Sequence, residues 1–137
     1  MDDFIVTHEL VNVRVFEWLS SAELIIEIEG CDVMFKGNPS SDLFEYGISS
    51  LKIPEYMSLA KPILMLSDID DSVMKANCGI SVSSNCLESL VEKLKYVIQE
   101  DPSILDTWSI NGWLYAKNNF VYEKSIEPLI NWLEKEI

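Results

Sequence analysis

The residues that can do chemistry in this chain are concentrated in residues 46–64, with the sequence YGISSLKIPEYMSLAKPIL. Gly47 opens a loop that runs into a predicted helix, and a glycine lets the backbone approach a ligand closely. The backbone N–H groups of Ile48, Ser49 and Ser50 then lie at or near the helix start, where the helix dipole favours an anion. The stretch therefore predicts a cradle for a phosphate or diphosphate group.

Two charged side chains extend this predicted site. Lys52 adds a full positive charge, and Glu55, one turn further along, can accept hydrogen bonds from vicinal hydroxyls such as those of a ribose. Together with the loop, they predict a binding site for a nucleoside diphosphate. One alternative stays open: Gly47 is an ordinary turn glycine, and Lys52 and Glu55 form a surface pair at helical spacing.

Other residue types that carry chemistry are weaker candidates. His8 is the sole histidine, and no nucleophile lies beside it in the sequence, which favours an ordinary surface residue. Asp68, Asp70 and Asp71 resemble a cluster for a hard cation, but they lack the glycine turn and the distal glutamate of an EF-hand loop. We interpret these aspartates as a solvated turn and helix cap. We expect no metal site, no resident cofactor and no catalytic side chain.

The cysteines indicate a reducing environment. The spacings of Cys31, Cys78 and Cys86 fit neither a zinc site nor a paired disulfide framework. Cys31 and Cys78 each border an apolar stretch, which favours burial as small hydrophobic side chains. Because the cysteine count is odd and the acidic amino terminus does not resemble a secretory signal, we expect a cytoplasmic protein.

Composition limits the classes of partner. The chain has 137 residues, which suits one domain, and 48% of them are hydrophobic, but no apolar run is long enough to span a bilayer. Phosphate backbones and anionic lipids repel a formal net charge of −13, so we expect neither nucleic-acid binding nor membrane insertion. The charge still permits a small anionic ligand, because one lysine and a few backbone N–H groups can hold a diphosphate locally.

The elements that position the site alternate between short apolar runs and amphipathic stretches, which predicts an α/β fold with a mostly parallel sheet. The predicted strands cover residues 12–18, 31–35, 62–66 and 79–82. The first two predicted helices cover residues 20–29, capped by Ser20 or Ser21, and residues 50–59, with Pro54 in the first turn.

The last third of the chain is predicted to be helical. Asn85 is expected to begin a capping box for a helix with one apolar face. Trp108 and Trp113 lie in the next predicted helix, where core packing is favoured over a stacking role. The closing helix carries an apolar stripe, and Pro128 would kink that helix unless Ser125 caps a new start.

Residues 46–64 resemble the donor-site segment of retaining GT-B glycosyltransferases of family four. The similarity is closest to members that read roughly Tyr-Gly-Ile-Ser-Pro-Asn-Lys, then Glu-Tyr-Met, then Gly-Lys-Pro. Three other segments are also similar to the family: NVRVFEWLSSAELIIEIEGCDVMF, CGISVSSNCLESLVEKLKYVIQEDPS and NGWLYAKNNFVYEKSIEPLINWLEKEI. The resemblance covers residues 12–137, and the order and spacing of the four segments are more specific than any one segment.

The resemblance implies roles for the predicted site residues. Glu55 matches the second glutamate of the family's Glu, seven residues, Glu motif, and that glutamate binds the donor ribose. The backbone around Ile48 and Ser49 corresponds to the diphosphate cradle, and Lys52 matches a lysine of the subgroup pattern. The implied ligand is a nucleotide sugar, expected to be a UDP-sugar, from which the family transfers the sugar.

The resemblance also places the nucleobase and shows where this chain departs from the family. Trp18 and Leu19 lie where the family holds the base, at the end of a predicted strand. The first glutamate of the family motif falls on Gly47, and Glu17 replaces a glycine. Ala60 stands where a helix-ending glycine is usual, which strains the turn if a left-handed residue is needed.

The fold implied by the resemblance is a Rossmann-like parallel sheet with flanking helices, of which residues 1–137 form an incomplete carboxyl-terminal half of a GT-B fold. In the strand order 3-2-1-4-5-6, residues 12–18 are the third strand and residues 31–35 the fourth. The first two strands, with the family's basic pair, and the acceptor domain are not in the chain. We therefore expect no turnover alone, and either an acceptor-domain partner or self-association. The alternative from another class is a non-catalytic α/β interaction module or a degenerate fragment.

Overall fold

The structure is a computed structural model that describes residues 7–38, 51–69, 72–101 and 103–135. The chain divides into an amino-terminal unit, Met1–Gly30, and a larger unit, Cys31–Ile137, and each is described by itself. The larger unit contains a three-stranded parallel sheet with flanking helices. This confirms the predicted α/β class.

The amino-terminal unit contains helix α1 (Ser21–Glu29), which agrees with the predicted helix over residues 20–29. Ser20 is the cap: its hydroxyl accepts a hydrogen bond from the backbone N–H of Glu23 at 3.4 Å. The Glu23 carboxylate accepts one from the backbone N–H of Ser20 at 2.9 Å. This reciprocal capping box satisfies two N–H groups that the first turn of a helix would otherwise leave unpaired.

The prediction of a strand over residues 12–18 is wrong, because the backbone there has no regular secondary structure. An alternating pattern meets only part of what a strand requires, since its N–H and C=O groups must also pair with a neighbouring strand. Among the residues that the structure describes, none pairs with this segment. Local contacts are formed instead: the Arg14 guanidinium lies 4.8 Å from the ring centroid of Phe16 and 3.6 Å from the Glu27 carboxylate.

The sheet consists of strands β1 (Met34–Gly37), β2 (Ile63–Leu66) and β3 (Gly79–Val82), in the order β1-β2-β3. Both pairings are parallel, with Met34 opposite Ile63 and Ile63 opposite Gly79. The strands predicted at residues 62–66 and 79–82 are confirmed, whereas the strand predicted at 31–35 begins only at Met34. Cys31 therefore precedes the sheet and is exposed, which contradicts its predicted burial.

Two helices make the crossovers that parallel strands require. Helix α2 (Lys52–Ser58) lies between β1 and β2 in the sequence, and helix α3 (Ser72–Ala76) lies between β2 and β3. The helix predicted at residues 50–59 is therefore confirmed, with Pro54 in its first turn, where a missing N–H costs nothing. Between β1 and α2, the structure describes only Asn38 and Leu51.

The core has two parts because β2 is buried on both faces. Ile63 and Met65 point into one hydrophobic cluster, while Leu64 joins the other, as the two-residue period of a strand dictates. Cys78 is fully buried in the first cluster, as predicted. Trp108 is buried in the second cluster, which confirms its predicted core position.

The carboxyl-terminal helices are α4 (Leu87–Glu100), α5 (Ile104–Asn119) and α6 (Tyr122–Lys135). The capping box predicted at Asn85 is wrong, because α4 begins one residue later, with Cys86 as a cap that makes no side-chain hydrogen bond. Helix α6 continues through Pro128 without interruption. Within the described ranges, no helix is long and apolar enough to cross a membrane.

Candidate functional site

The structure brings together two of the predicted site residues, Lys52 and Glu55. The Lys52 Nζ atom lies 3.0 Å from the Glu55 Oε2 atom, and the side chains are 52% and 42% exposed. This is the surface-pair geometry that the spacing of the two residues left open, and such a pair contributes little to stability. The nucleotide site predicted around these two residues stays a prediction.

The remaining predicted site residues lie either outside the described residues or in the other unit of the chain. The predicted phosphate cradle, formed by Gly47, Ile48, Ser49 and Ser50, lies outside the described residues and stays a prediction. Trp18 and Leu19 belong to the amino-terminal unit, in the segment that does not form the predicted strand. Trp18 is 81% exposed.

Helix α2 fixes the direction of Glu55 because its opposite face is anchored in the core. Ile53 and Met57, four residues apart, are both fully buried, so the helix cannot rotate about its axis without exposing them. At the end of the helix, the Ser58 hydroxyl donates a hydrogen bond to the Glu55 carbonyl at 2.7 Å. The position of Glu55 therefore follows from apolar packing.

Glu55 lines a groove of about 530 Å³ formed by residues of helix α2 and of the carboxyl-terminal part of α5. The groove has aromatic lining residues, Trp113 and Phe120, and the Lys117 Nζ atom lies 4.9 Å from the Trp113 ring centroid. The other lining residues are Pro54, Ser58, Ala116 and Val121. Its volume falls in the range of roughly 300–1,000 Å³ that small-molecule sites occupy.

Sequence reasoning missed this groove because it assigned Trp113 to the core. Trp113 is 43% exposed, whereas Trp108 on the same helix is 6% exposed. The available signal was the spacing of Trp113 and Lys117, which lie four residues apart and therefore share one face of α5, with Phe120 at the carboxyl cap of the helix. Which element this face meets depends on how α5 packs on α2, and the spacing does not contain that information.

The groove combines three kinds of chemistry. The Glu55 carboxylate can accept hydrogen bonds from hydroxyl groups, the Lys117 ammonium carries positive charge, and the Trp113 ring offers a flat apolar face. A molecule with a planar ring and neighbouring hydroxyl groups matches this combination.

A second group of polar residues lies at the carboxyl ends of the strands. The backbone N–H of Asn38 donates to Leu66 O at 2.8 Å, and that of Ser67 donates to Val82 O at 2.9 Å, so both residues extend the sheet ladder. Both side chains are buried, and the Asn38 amide donates to the Ser67 hydroxyl at 3.4 Å. Open α/β sheets bind ligands at this edge. Here the Asn38 amide oxygen also accepts a hydrogen bond from the Lys36 ammonium, and the Ser67 hydroxyl also accepts one from the Ile69 N–H at 3.3 Å, so both side chains already have partners within the protein.

Asp68 follows Ser67 and connects the ends of β2 and β3 at the same edge of the sheet. Its carboxylate accepts hydrogen bonds from the Ser83 hydroxyl at 2.5 Å, from the Ser84 backbone N–H at 3.2 Å and from the Ser84 hydroxyl. The hydrogen bonds from Ser83 and then from Ser84 lower the pKa of Asp68 below its ordinary value. Asp70 and Asp71 lie outside the described residues, and the residues that the structure does describe contain no group of His, Cys, Asp and Glu that could hold a metal ion.

No protein-family model, curated protein or solved structure matches this chain. Any functional assignment therefore depends on the residues themselves: the sequence resemblance, the strand order and the groove beside Glu55.

Proposed function

We propose that the chain binds a nucleotide sugar, expected to be a UDP-sugar, as the donor-binding part of a glycosyltransferase that becomes active when completed by an acceptor domain. The observation that carries this proposal is the placement of Glu55, the residue that the resemblance assigns to the donor ribose. Its carboxylate lies 3.0 Å from the Lys52 ammonium and lines a groove with an aromatic surface. A carboxylate in that setting can accept hydrogen bonds from a ribose diol.

The topology of the sheet supports the proposal. In the strand order 3-2-1-4-5-6, strands four, five and six are neighbours and parallel, which is the arrangement of β1, β2 and β3. The third strand of that order would be separated from the fourth by the first two. The segment at residues 12–18, expected as the third strand, pairs with no strand among the described residues and does not contribute to this support.

Titration of UDP and uridine, followed by ligand-observed NMR, tests the proposal. We expect weak binding of UDP, with a Kd in about the millimolar range, because each missing charge-assisted hydrogen bond to a diphosphate costs about 1.5–3 kcal/mol. Lys52→Ala should weaken UDP binding more than uridine binding, whereas Glu55→Ala should weaken both.

Matched controls are Glu92→Ala and Lys95→Ala, which remove an exposed glutamate and an exposed lysine three residues apart on helix α4. Neither control should change the affinity for UDP or uridine. If wild type, Lys52→Ala and Glu55→Ala bind UDP equally well, the assignment of this donor site is wrong.

A non-catalytic interaction module is the second candidate, and exposed apolar surface favours it. Phe35 is exposed on β1, an edge strand of the described sheet, and edge strands present backbone groups that another chain can pair with. Helix α6 also exposes large apolar side chains, namely Leu129, Ile130, Trp132 and Leu133. Light scattering that rises with protein concentration, together with no binding of UDP or uridine, would favour this function over donor binding.

A further inference from the structure

We propose that Trp113 is the stacking surface for the base of the bound nucleotide and that Lys117 covers this surface when no base is bound. This inference rests on the proposed nucleotide binding and makes it more specific. It assigns the base to helix α5 of the larger unit, whereas the sequence resemblance assigns it to Trp18 and Leu19.

The packing of α5 on α2 explains why Trp113 faces the groove beside Glu55. Gly112 is buried at this contact: a Cβ atom added to it would lie 3.2 Å from the Cys78 Cβ atom, a tight approach, and 3.7 Å from the Met57 Cα atom. Ala116, the next residue on the same face, is also buried. These small residues let the two helices approach closely, and the neighbouring Trp113 side chain then lies at the edge of the contact.

Trp113 has the exposure that a stacking surface needs. Its side chain is 43% exposed although it belongs to a helix whose other described tryptophan, Trp108, is buried. Trp113, Phe120 and Glu55 line one groove, so a base on the aromatic surface can place its ribose hydroxyls near the carboxylate. Base and ribose would then be recognised by two helices of the same unit.

A base that stacks on Trp113 must displace the Lys117 ammonium group from the ring. With its Nζ atom 4.9 Å from the ring centroid, Lys117 makes a cation–π contact on an exposed surface, worth about two- to fivefold in an equilibrium constant. Stacking of a base on an aromatic side chain is worth about five- to 150-fold. A base therefore displaces the ammonium group with a net gain.

Trp18 lacks comparable support. Its segment does not form the strand that would hold it at the edge of a sheet, and it does not line the groove beside Glu55. The choice between the two tryptophans can be tested directly, because each can be removed separately.

The experiment measures uridine and UDP binding to the full chain by ligand-observed NMR. Trp113→Leu should raise the Kd for uridine about tenfold, and Trp113→Phe should retain most of the affinity. Trp18→Leu should leave the Kd unchanged, as should the control Trp132→Leu, which removes another exposed tryptophan. Lys117→Ala should tighten uridine binding about twofold, because it removes the competing cation–π contact, and a purely structural role for Lys117 would not have this effect.

Unchanged uridine binding by Trp113→Leu, or a loss of binding in Trp18→Leu instead, would overturn the inference. If Trp113→Leu fails to fold, a second NMR experiment on the wild-type chain takes its place. It measures magnetisation transfer between the Trp113 indole protons and the uracil protons of bound uridine. We expect transfer, and its absence would overturn the inference. If Lys52→Ala and Glu55→Ala weaken ligand binding but Trp113→Leu does not, the stacking role of Trp113 is wrong and the donor-site assignment stands. If Trp113→Leu weakens ligand binding but neither Lys52→Ala nor Glu55→Ala does, the donor-site assignment is wrong and the stacking role of Trp113 stands. No binding of UDP or uridine to the wild-type chain defeats both.

Discussion

The Asp68 carboxylate accepts a hydrogen bond from the Ser83 hydroxyl at 2.5 Å, which joins the residue segments that follow β2 and β3. Hydrogen bonds from Ser83, and then from Ser84, stabilise the charged form and lower the pKa of Asp68. Because the folded pKa lies below the unfolded value of about 3.9, this group stabilises the fold above that pH. The stabilisation is lost as the pH falls through the folded pKa.

Asp68→Asn should therefore lower the free energy of unfolding at pH 7, and the difference from wild type should shrink as the pH falls below about 3.9. Urea denaturation of both proteins at a series of pH values measures this difference. Ser83→Ala should raise the Asp68 pKa in an NMR titration, since it removes the largest cause of the shift. A stability difference that does not depend on pH would contradict the assigned role of Asp68.

Gly79 cannot be replaced by a larger residue without moving the backbone of β2. A Cβ atom added to it would lie 1.8 Å from the Ile63 carbonyl oxygen, far inside van der Waals contact. We expect Gly79→Ala to destabilise the protein by about 3 kcal/mol, at the upper end of overpacking effects, as measured by urea denaturation. Gly37→Ala is the control in the same sheet, because its added Cβ would make ordinary contacts at 3.5 Å. Equal stability of the two variants would contradict this close approach.

Features that depend on neighbouring residues in the sequence could be predicted from it. The Ser20 cap follows from the spacing of Ser20 and Glu23, and both partners are local. Strand β2 follows from a short apolar run, because a central strand buries consecutive residues whichever face they occupy. Strand β3, at the edge of the described sheet, follows from a similar short run.

Features that depend on distant partners could not be predicted in the same way. Residues 12–18 have a strand pattern, but pairing depends on a neighbour that the pattern does not supply. Trp113 shares its helix with the buried Trp108, and only the packing of α5 on α2 distinguishes the two environments. The spacing of Lys52 and Glu55 was compatible with a surface ion pair and with a nucleotide site. The structure shows the ion pair, and the nucleotide site stays a prediction.

Ala60 adopts a left-handed conformation, with φ = 53°, where a side chain is unfavourable. It ends α2 in a Schellman motif: the Ala60 N–H donates to Met57 O at 3.0 Å, and the Lys61 N–H donates to Tyr56 O at 3.1 Å. Ala60→Gly should therefore raise the free energy of unfolding by about 1 kcal/mol, as measured by urea denaturation. Asn77 has a similar conformation, with φ = 47°. Asn77→Gly should raise the free energy of unfolding by less than Ala60→Gly, because asparagine tolerates this conformation better than alanine. A loss of stability in Ala60→Gly would contradict the assigned strain.

The three cysteines should react very differently in the folded protein. Burial raises the pKa of the Cys78 thiol from 9.0 to about 11, which lowers its thiolate fraction about a hundredfold, and the side chain has no solvent access. Cys31 and Cys86 are exposed. Mass spectrometry after iodoacetamide treatment at pH 8 should show alkylation of Cys31 and Cys86, and of Cys78 only after unfolding in guanidinium chloride. Rapid alkylation of Cys78 in the folded chain would contradict its core position.

The final prediction concerns catalysis. Glycosyl transfer requires the donor and the acceptor hydroxyl to be held in near-attack geometry, and in the proposed architecture a separate domain provides the acceptor. Lys52 and Glu55, paired at 3.0 Å, can position a donor but hold no second substrate. We therefore expect the purified chain to release no UDP from a panel of UDP-sugars beyond the rate in buffer. Release should occur only after addition of a partner that carries an acceptor domain, and Glu55→Ala should abolish it. Turnover by the chain alone that Glu55→Ala abolishes would instead demonstrate a self-contained active site and refute the half-enzyme proposal.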